Sequence, residues 1–500
     1  MGWYIGLDIG TTNIKANAFC LDNGVQAEPV SVPTPRFYPE PDCENYELDT
    51  DALFDAAVQA LSSLLKTIPA SQVRGIGVSS LGESGVLVDE KMHSVCKAIS
   101  WFDPRSQAQA LALDNILGRE RIYQITGQLS SAKYGLTKLL WTRENQPEVF
   151  ASARMWMPVN SYILYRLSGK AACDYSIAAR TMAFDIRKMQ WSDELLAAAG
   201  LSADFFPKAV PGGASIGSIL PDLASALALP PDVQICTGGH DHACAAVGSG
   251  AIGEGCVLDS MGTAEVFMMA IRQPVTTRAL YDAQVNIYPH CSPTLYRALT
   301  SMQACGASIN WFLESIGQPI ADQAQMLGMS PAAYMQKVAA DAPDDALLHY
   351  FPFLRGSQSL PDSGGVFLGI RDQHGLPAFA KALLDGLCCE FNYQLSGAAR
   401  QFGADFCSIT AVGGPSQSDY FLQRKAAITG IPVARPASQE AASFGAAILA
   451  AIGCGAIDFD QAAKMTSDQS SRFVPESNST LDTLYRNYAR RRAFIEDCYR

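Results

Sequence analysis

The stretch WYIGLDIGTTNIKANAFCLD, residues 3–22, decides how the rest of the chain is interpreted. An apolar run of strand length breaks on Asp8 and on Gly-Thr-Thr at residues 10–12, and a second apolar run begins at Ile14. This pattern predicts two strands joined by a turn that is rich in glycine and hydroxyl groups. The turn differs from a P-loop, because the GxxxxGK[ST] spacing is absent and no helical pattern follows it.

The predicted turn has the chemistry of an anion site. Backbone N–H groups in a glycine turn form a concave nest, and the hydroxyls of Thr11 and Thr12 add donors. The carboxylate of Asp8 would repel a phosphate unless a hard cation such as Mg²⁺ lay between the two. A β-hairpin with an ordinary polar turn explains this stretch equally well. Lys15, on the returning strand, faces either a cleft or solvent.

The composition is that of a soluble globular enzyme. The 500 residues are 48% hydrophobic and 17% charged, and this length predicts two domains rather than one. A formal net charge of −12 argues against nucleic acid or a membrane surface as a partner, since either would need a basic face. The 14 cysteines form no CxxC pair and no basic leader precedes Trp3, so we expect buried thiols in a reducing cytoplasm.

Strand-length apolar runs alternate with helical patterns, which predicts an α/β fold. Near residues 238–263 the pattern restarts with a strand, a glycine turn, a helix of small residues and another strand. We therefore predict an N-terminal domain over 1–243, a C-terminal domain over 244–457 and a solvated helical tail over 458–500. The element predictions are strands 4–9, 14–21, 73–79, 85–88 and 406–412, helices 51–65, 104–117, 135–143, 159–167, 377–395 and 419–429, and a surface loop at 31–48.

Glycine turns recur at predicted strand ends. LDIGTT at residues 7–12 is similar to LDSMGT at residues 258–263. Each segment places a carboxylate at a predicted strand end before glycine and threonine. The positions of these two segments suggest two domains that offer phosphate loops to a shared cleft. In AVGGPSQSDYF, residues 411–421, a third strand ends in two glycines, whose missing Cβ atoms let a flat ligand or phosphate approach the backbone.

The segment GGHDHACAAVGSG, residues 238–250, has three interpretations. Two glycines end a strand, and Asp241 stands at or near the start of a helix of small residues. Asp241 is therefore a helix cap or a general base for a substrate hydroxyl. Together with His240 and His242 it would form part of a metal site, but the sequence shows no partner cluster of metal-ligand spacing.

The order of these segments resembles the FGGY family of carbohydrate kinases, within the superfamily of actin, Hsp70 and hexokinase. LDIGTTNIKA resembles the family's first phosphate motif, GGHDHACAAVGSG the segment with the catalytic aspartate, and DSMGTAEV the second phosphate motif. YFPFLRGSQSLPDSGGVFLGI resembles the C-terminal-domain loop, and VGGPSQSDYFLQ the adenosine region. ISWFDPRS, YGLTKLLW and ACDYSIAARTMAFDI are similar to N-terminal landmarks, so the similarity covers nearly all of the chain.

The resemblance implies two ribonuclease-H-like domains, of the actin-like ATPase type, that face each other across a cleft and close over a sugar and ATP. It implies that Asp8 supports Mg²⁺ and that Asp241 takes the proton of the attacking hydroxyl. Pro415 and the run LQRKAAITG depart from the family's adenosine pattern. The residues that the resemblance places at the nucleotide and its phosphates are Thr11, Thr12, Asn13, Lys15, Gly262, Thr263, Gly413, Gly414 and Ser416.

The sugar end is ambiguous in the sequence. Related xylulose kinases have a Met-His pair where this chain has Gly82 and Glu83, and glycerol kinases share the glutamate but carry an arginine before it. The resemblance also places Trp101 and Asp103 beside the sugar, with packing and surface pairing as the alternative. Lys133 occupies a position that is usually uncharged. It binds an anionic substrate such as a sugar acid or, in the simpler interpretation, lies in solvent.

The predicted function is ATP-dependent phosphorylation of a hydroxyl on a small sugar, ketose, polyol or sugar acid. A non-catalytic, ATP-gated interaction protein like actin or Hsp70 is one alternative, and a metal hydrolase built on His240 and His242 is another. The expected partners are the small-molecule acceptor and ATP, with neither nucleic acid nor a membrane. A homodimer is considered, and the predicted location is the cytoplasm.

Overall fold

The computed structural model describes residues 2–39, 45–357, 360–438, 440–468 and 470–499. Residues 40–44 of the predicted surface loop, residues 358–359 of the YFPFLRGSQSLPDSGGVFLGI segment and Gln439 lie outside the described residues. Within the described ranges, two mixed sheets of six and seven strands form the centre of the molecule, and helices pack against them.

The first half of the chain forms a six-stranded sheet. Its strands, together with those of the short strand pairs nearby, are β1 (Trp3–Ile9), β2 (Asn13–Cys20), β3 (Val30–Pro33), β4 (Glu47–Leu48), β5 (Val73–Ser80), β6 (Gly85–Val88), β7 (Ala98–Ile99), β8 (Met155–Pro158), β9 (Ala172–Asp174), β10 (Phe184–Asp185), β11 (Gln190–Trp191), β12 (Lys208–Val210), β13 (Ser215–Ser218) and β14 (Gln234–His240). The sheet order is β13-β14-β5-β1-β2-β3. β1 and β2 form the predicted hairpin, with Asp8 opposite Lys15. β1, β5 and β14 run parallel, which brings the ends that carry Asp8, Ser79 and His240 to one edge.

Ten helices belong to the same half of the described chain. They are α1 (Thr50–Leu64), α2 (Gln107–Leu117), α3 (Arg119–Thr126), α4 (Gly135–Asn145), α5 (Pro147–Ser152), α6 (Val159–Ser168), α7 (Tyr175–Ala179), α8 (Asp193–Ala198), α9 (Pro221–Ala226) and α10 (Asp241–Gly248). α1 begins where the carboxylate of Asp49 accepts the backbone N–H groups of Asp51 and Ala52 at 3.1 Å. Its buried face, which includes Leu53 and Leu61, joins the core of the first sheet.

The second half forms a seven-stranded sheet in the order β17-β18-β16-β15-β21-β22-β23, whose bounds follow. These strands and one further pair are β15 (Cys256–Met261), β16 (Glu265–Ile271), β17 (Asn286–Pro289), β18 (Tyr296–Met302), β19 (His349–Phe351), β20 (Val366–Leu368), β21 (Ser408–Gly413), β22 (Val433–Arg435) and β23 (Ser471–Phe473). β15 and β16 form a hairpin, as β1 and β2 do. β15 also runs parallel to β21, with Met261 opposite Gly413. The LDIGTT and LDSMGT segments therefore share one backbone arrangement.

The helices of the second half are α11 (Arg278–Asp282), α12 (Gly306–Glu314), α13 (Gln318–Met326), α14 (Pro331–Asp341), α15 (Leu376–Phe402), α16 (Asp419–Thr429), α17 (Ala441–Gly453), α18 (Phe459–Asp468) and α19 (Ser479–Tyr499). The prediction of a solvated tail is wrong for α19. Tyr488 is fully buried, donates a 2.8 Å hydrogen bond to Glu390 and stacks on Phe351 at 4.6 Å. Its apolar residues recur every three or four positions, which gives the basic helix one buried face.

Helix α17 crosses from the second half of the chain onto the first sheet, where it packs against β1, β5 and β14. The approach is close: a Cβ built on Gly6 would lie 1.8 Å from the carbonyl oxygen of Ser443. α17 also crosses α10, where a Cβ on Gly445 would lie 1.8 Å from the carbonyl oxygen of Cys244. Because only glycine lacks a Cβ, Gly6 and Gly445 allow the backbones of β1 and α10 to lie in direct contact with the backbone of α17.

The sequence predicted most element bounds to within a few residues. The strand at 85–88 and the helix at 419–429 are confirmed at both ends. The predicted helix at 377–395 continues to Phe402, and the one at 104–117 begins only at Gln107. Across the described residues, we find no helix both long and apolar enough to cross a membrane.

Candidate active site

A cavity of about 260 Å³ is lined by both halves of the chain. It is slightly smaller than the ~300–1,000 Å³ typical of small-molecule sites, so its size suits a compact ligand. From the second half, Asn286 and Ser301 contribute polar groups. Of the predicted site residues, the structure brings together around this cavity Thr11, Gly82, Glu83, Trp101 and Asp241.

Asp241 lies at the junction of β14 and α10. His240 is the N-cap of α10 and Asp241 is its first helical residue, so Asp241 is not the cap. Its Oδ1 accepts a 2.6 Å hydrogen bond from the backbone N–H of His242. Burial raises the pKa of the Asp241 carboxyl above its ordinary value. A carboxylate that is held by its own helix and lines a cavity has the placement of a general base.

The ACDYSIAAR segment supports the strand end before Asp241. The Asp174 carboxylate accepts the backbone N–H of Ser176 at 2.8 Å and caps α7. The Ser176 hydroxyl donates to the same carboxylate and accepts the backbone N–H of His240 at 2.9 Å. A buried chain of hydrogen bonds therefore fixes the backbone on which Asp241 is mounted.

Asp8 lies at the end of β1, next to β5. The hydroxyl of Ser79 donates a 2.8 Å hydrogen bond to its Oδ1. Burial and then the negative charge of Asp241 raise the pKa of Asp8 to about 7. Two neighbouring buried carboxylates repel each other, and a cation between or beside them would relieve that repulsion. The residues present therefore fit a Mg²⁺ ion at Asp8.

The turn after β1 is anchored by residues 34–36, which directly follow β3, so the predicted loop at 31–48 begins with a strand. Thr34 Oγ1 donates to the carbonyl of Gly10 at 2.7 Å, and Arg36 Nη2 donates to the carbonyl of Thr11 at 3.1 Å. The N–H of Gly10 binds the carbonyl of Asn13, where β2 begins. Thr11 lines the cavity and Thr12 is exposed, so the donors of this turn sit at the cleft.

Lys15 is engaged by a residue from the other half of the chain. Its Nζ lies 2.6 Å from Oε2 of Glu440, directly before α17, and both side chains are about one-third exposed. The positive charge of Lys15 also lowers the pKa of Asp8, against the larger effect of burial. Lys15 thus ties β2 to α17 at the edge of the predicted phosphate site.

Glu83 forms a buried ion pair with Arg180 on the cavity wall. Arg180 Nη1 also donates to Oε1 of Gln128 at 3.0 Å. The backbone of Glu83 has φ 64°, a left-handed conformation that costs a non-glycine residue about 1–3 kcal/mol. Gly82 makes room for His240, because a Cβ on Gly82 would lie 2.7 Å from the imidazole Cδ2. The wall is therefore rigid and tightly constrained.

Trp101 and Asp103 have different surroundings. Trp101 lines the cavity with 39% of its surface exposed, so its indole is accessible to a ligand. Asp103 is 1% exposed and lies outside the cavity, where its Oδ2 binds Nη2 of Arg105 at 2.7 Å. Arg105 binds Glu47 at 2.7 Å as well. Asp103 therefore stabilises the loop that presents Trp101. This agrees with the alternative in which Asp103 forms an ion pair instead of contacting the sugar.

The turn between β15 and β16 presents Gly262 and Thr263, both exposed. The start of α12 supports it from below: the N–H of Gly306 binds the carbonyl of Gly262 at 2.9 Å, and the N–H of Cys305 binds that of Thr263 at 3.0 Å. A Cβ on Gly306 would lie 2.6 Å from the Gly262 carbonyl oxygen. The turn thus has a fixed backbone and an open outer face.

A second cavity, of about 360 Å³, lies at the end of β21 and is lined by Gly413, Gly414 and Ser416. Gly413 has φ 94°, and a Cβ there would lie 2.0 Å from the carbonyl oxygen of Met261. The Ser416 hydroxyl donates to the Gly413 carbonyl at 2.6 Å. Pro415 occupies the first turn of a short 3₁₀ helix, where proline is tolerated, so this departure from the family pattern leaves the turn intact.

Asp259 occupies the position in LDSMGT that Asp8 occupies in LDIGTT, but its role is different. It is fully buried, and its Oδ2 binds Nζ of Lys425, which also lies 2.5 Å from Oε1 of Glu265. A buried carboxylate requires such a partner. Lys425 comes from the unusual LQRKAAITG run, whose lysine thus neutralises carboxylates beneath the second turn. The two turns share a backbone shape, while only Asp8 lies next to Asp241.

His240, Asp241 and His242 place three ligand atoms within 4.8 Å of one another, a grouping that their spacing in the sequence did not predict. The pKa of His240 is well below its ordinary value, first because of burial and then because of the charge of Arg180. The same positive charge disfavours a metal cation. His240 is therefore better suited to remain neutral beside an acceptor than to hold a metal ion.

Sequence reasoning missed Arg180 and Asn286. Arg180 stands 97 residues after Glu83, so their pairing becomes visible only in the fold. The sequence feature that could have indicated a role for Arg180 is its position among small apolar residues in the ACDYSIAAR segment. Asn286 begins β17, and its Oδ1 accepts the backbone N–H of Leu129 at 3.1 Å. It closes the cavity from the second half of the chain.

Solved structures of sugar kinases have the same fold as this chain. The crystal structure of xylulose kinase from Rhodospirillum rubrum superposes with a TM-score of 0.86 at 25% identity, covering 99% of each chain. The fold is therefore the two-domain, actin-like ATPase architecture of sugar kinases. Residues 3–248 match the N-terminal domain of the FGGY family of carbohydrate kinases, and residues 258–454 match its C-terminal domain.

The chain belongs to the FGGY family of carbohydrate kinases. A xylulose kinase from Staphylococcus epidermidis is 29% identical over 459 residues, covering 90% of this chain and 88% of the relative. A gluconokinase from Bacillus licheniformis is 26% identical over 489 residues, covering 96% and 93%. The protein is thus an ATP-dependent carbohydrate kinase, which transfers a phosphoryl group to an alcohol.

Proposed function

We propose that the protein phosphorylates a hydroxyl of a small sugar, ketose, polyol or sugar acid bound in the cavity of about 260 Å³, with Asp241 as general base. One observation carries the proposal: Asp241 lines the same cavity as Thr11, Glu83 and Trp101. The proposed base therefore lies beside the turn proposed to bind phosphate and beside the side chains proposed to bind the acceptor. Phosphoryl transfer requires these groups to be close together.

Asp241 has the geometry to accept the hydroxyl proton. The helix N–H of His242 holds one carboxylate oxygen at 2.6 Å, which orients the side chain. As the proton moves to the carboxylate, the acceptor oxygen attacks the γ-phosphorus in line and ADP leaves. The raised pKa of Asp241, which follows from burial, makes it a stronger base than an exposed aspartate.

Asp8 is the proposed support for Mg²⁺. Its hydrogen bond from Ser79 orients the carboxylate, and the neighbouring charge of Asp241 favours a cation nearby. When bound, Mg²⁺ would neutralise charge on the phosphate oxygens of ATP. The protein's own contribution is to hold these two carboxylates in fixed positions at the ends of β1 and β14, the strands on either side of β5.

The nucleotide is proposed to lie between the two anchored turns. The turn between β1 and β2 supplies hydrogen-bond donors or positive charge from Thr11, Thr12, Asn13 and Lys15. The turn between β15 and β16 presents an exposed backbone at Gly262 and Thr263. The cavity of about 360 Å³ at the end of β21 suits the adenosine. Its proposed contacts are Gly413, Gly414 and Ser416. Closure of the two domains would exclude water as a competing nucleophile.

The alternative predicted from the sequence, a non-catalytic ATP-gated protein, does not agree with membership of a kinase family, and the cavity also argues against it. Such a protein has no need for a buried carboxylate, a strained Glu83 or an accessible Trp101 around one small cavity. The domain limits at 1–243, 244–457 and 458–500, the cytoplasmic location and the homodimer stay predictions.

The proposal is tested by a screen for ADP release over ketoses, polyols and sugar acids. Wild-type protein is run beside Asp241→Asn, which keeps the shape of the side chain and removes the base. Asp222→Asn, at an exposed position on α9, is the matched control. We expect acceptor-dependent ADP release by the wild type and the control and its loss in Asp241→Asn.

Two results would count against this function. Full acceptor-dependent activity in Asp241→Asn would remove Asp241 from the role of base. Nucleotide binding in the wild type with no ADP release for any acceptor would favour the interaction protein instead. Calorimetric titration with a non-hydrolysable ATP analogue supplies the binding measurement.

A further inference from the structure

Lys133 lines the acceptor cavity with an unpaired charge. Among the described residues, its ammonium has no hydrogen-bond acceptor or carboxylate partner, and it lies 5.0 Å from the ring centroid of Tyr134. Burial lowers the pKa of Lys133 to about 8, so most of it is protonated at neutral pH. Lys133 is half-buried, and its ammonium faces the cavity rather than the outer surface of the protein.

Its neighbour Lys138 shows what a structural lysine looks like in the same place. Lys138 Nζ donates to the carbonyls of Trp101, Ala132 and Lys133 at 3.2, 2.9 and 2.8 Å. Those three bonds satisfy a buried ammonium completely. Lys133 lacks such bonds among the described residues, so its ammonium can donate to a ligand in the cavity without breaking a bond within the protein.

The other charges near Lys133 cancel each other. Arg180 and Glu83 form an ion pair, and both act on Lys133 with opposite sign. His240 stays neutral, because burial and the positive charge of Arg180 hold its pKa low. The side of the cavity that carries Lys133 therefore has one positive charge that the described residues leave uncompensated.

We propose that the acceptor is a polyhydroxy carboxylic acid whose carboxylate binds the ammonium of Lys133 while one of its hydroxyls faces Asp241. This inference rests on the proposed kinase function and deepens it by naming the class of acceptor. Lys133 determines specificity, and Asp241 performs the proton transfer.

A carboxylate fits better than a phosphate group. One lysine supplies one positive charge, and the charge of Arg180 is already balanced by the carboxylate of Glu83. A phosphate near neutral pH carries more than one negative charge and is usually met by several cations or backbone donors. The cavity of about 260 Å³ also favours a short sugar acid over a larger phosphorylated sugar.

The test compares acceptors of matched chain length. ADP release is measured with D-gluconate against D-glucitol and glucitol 6-phosphate, and with D-xylonate against xylitol and D-xylulose. Lys133→Gln removes the charge and retains a polar side chain of similar length. Lys66→Gln, at an exposed position after α1, is the matched control.

We expect the acids to have the higher kcat/KM in the wild type. Lys133→Gln should raise their KM about 10- to 100-fold, the range of a lost charged hydrogen bond, with a small change in kcat. Neutral acceptors and Lys66→Gln should show no such change. A neutral or phosphorylated acceptor with the best kcat/KM, or an unchanged KM for acids in Lys133→Gln, would overturn the inference.

A binding measurement separates this inference from the kinase function. Titration of the wild type with D-gluconate or D-xylonate, followed by tryptophan fluorescence or calorimetry, requires no turnover. We expect binding that weakens in Lys133→Gln and persists in Lys66→Gln. Asp241-dependent phosphorylation of neutral sugars alone would keep the kinase function and reject the acid. Absence of both acid binding and acid turnover would reject the acid as well.

Discussion

Single carboxylates in this molecule differ in role because their surroundings differ. Asp8 and Asp241 are buried near each other, and each has a raised pKa. Asp103 is more deeply buried than either, with 1% of its surface exposed, but Arg105 pairs with it and it supports a loop. Asp259 has Lys425 as its partner. Of these four, Asp8 and Asp241 have no cationic partner in the described part of the chain, and these two lie on the reaction path that we propose.

The protonation of Asp241 sets a first prediction. The base works only when deprotonated, and burial raises its pKa, so kcat/KM should fall toward acid with a midpoint above about 3.9, the ordinary value for aspartate. A pH–rate profile with saturating Mg²⁺ and ATP measures this. Asp222→Asn should retain the same profile, and an acid limb at or below the ordinary value would contradict the account.

Glu83 supplies a second prediction. Glu83→Ala leaves the guanidinium of Arg180 buried without its carboxylate, which typically costs about 3–5 kcal/mol. We expect a lower denaturation midpoint by circular dichroism and a raised KM for the acceptor. Glu28→Ala, at an exposed position, should change neither quantity. An unchanged KM and midpoint in Glu83→Ala would show that the pair is dispensable.

At the residue scale, the sequence could point to Asp8, Asp241 and Thr11 because each stands beside a glycine turn at a strand end. It could not reveal that Arg180 neutralises Glu83, since pairing over 97 residues depends on tertiary contacts. It also could not separate Lys133 from Lys138. Both are lysines in one short segment, and only the fold shows which has backbone carbonyls around its ammonium.

Among the elements, α17 is the one that joins the two sheets. Gly6→Ala would place a Cβ about 1.8 Å from the Ser443 carbonyl, so we expect destabilisation at or above the usual overpacking cost. That cost is typically about 1–3 kcal/mol. Gly397→Ala is the control: it lies inside α15 and its Cβ would meet only the Arg400 guanidinium, at 3.9 Å.

Chemical denaturation of both variants measures the difference. Gly397→Ala should be neutral or more stable than the wild type by about 0.5–1 kcal/mol, because alanine favours helix. Gly6→Ala should also lose activity, since displacement of α17 moves α10 and Asp241 with it. Equal stability of the two variants would contradict the proposed close packing.

Element prediction succeeded where local pattern determines structure. β1, β2, β5 and α16 follow apolar runs bounded by glycine or serine, and their bounds were predicted closely. α19 was misjudged because its many arginines dominate the sequence, while its narrow apolar stripe becomes meaningful only against α15 and β19. The return of α17 to the first sheet could not be predicted, since nothing local specifies which sheet a helix covers.

For the whole molecule, the placement of the cavities predicts closure. The acceptor and adenosine cavities are separate, and the first anchored turn contributes Thr11 to the acceptor cavity. We expect the radius of gyration from small-angle scattering to fall when an ATP analogue and an acceptor are both present. Either ligand alone should give a smaller change, and no change with both would contradict closure.

Closure also predicts a dependence of ATP use on the acceptor. If the closed site excludes water, ADP release should be much slower without acceptor than with it. Phosphate and sugar phosphate are measured side by side. Comparable rates with and without acceptor would show that water reaches the γ-phosphate freely.

The measurement that tests the central claim most directly is product formation by Asp241→Asn. Phosphorus NMR follows transfer from ATP to the best acceptor, while calorimetry follows nucleotide binding. We predict that phosphorylated product falls about 10²- to 10⁴-fold, the usual worth of a general base, with nucleotide affinity unchanged. Product formation at the wild-type rate with intact nucleotide binding would contradict the claim that Asp241 is the base.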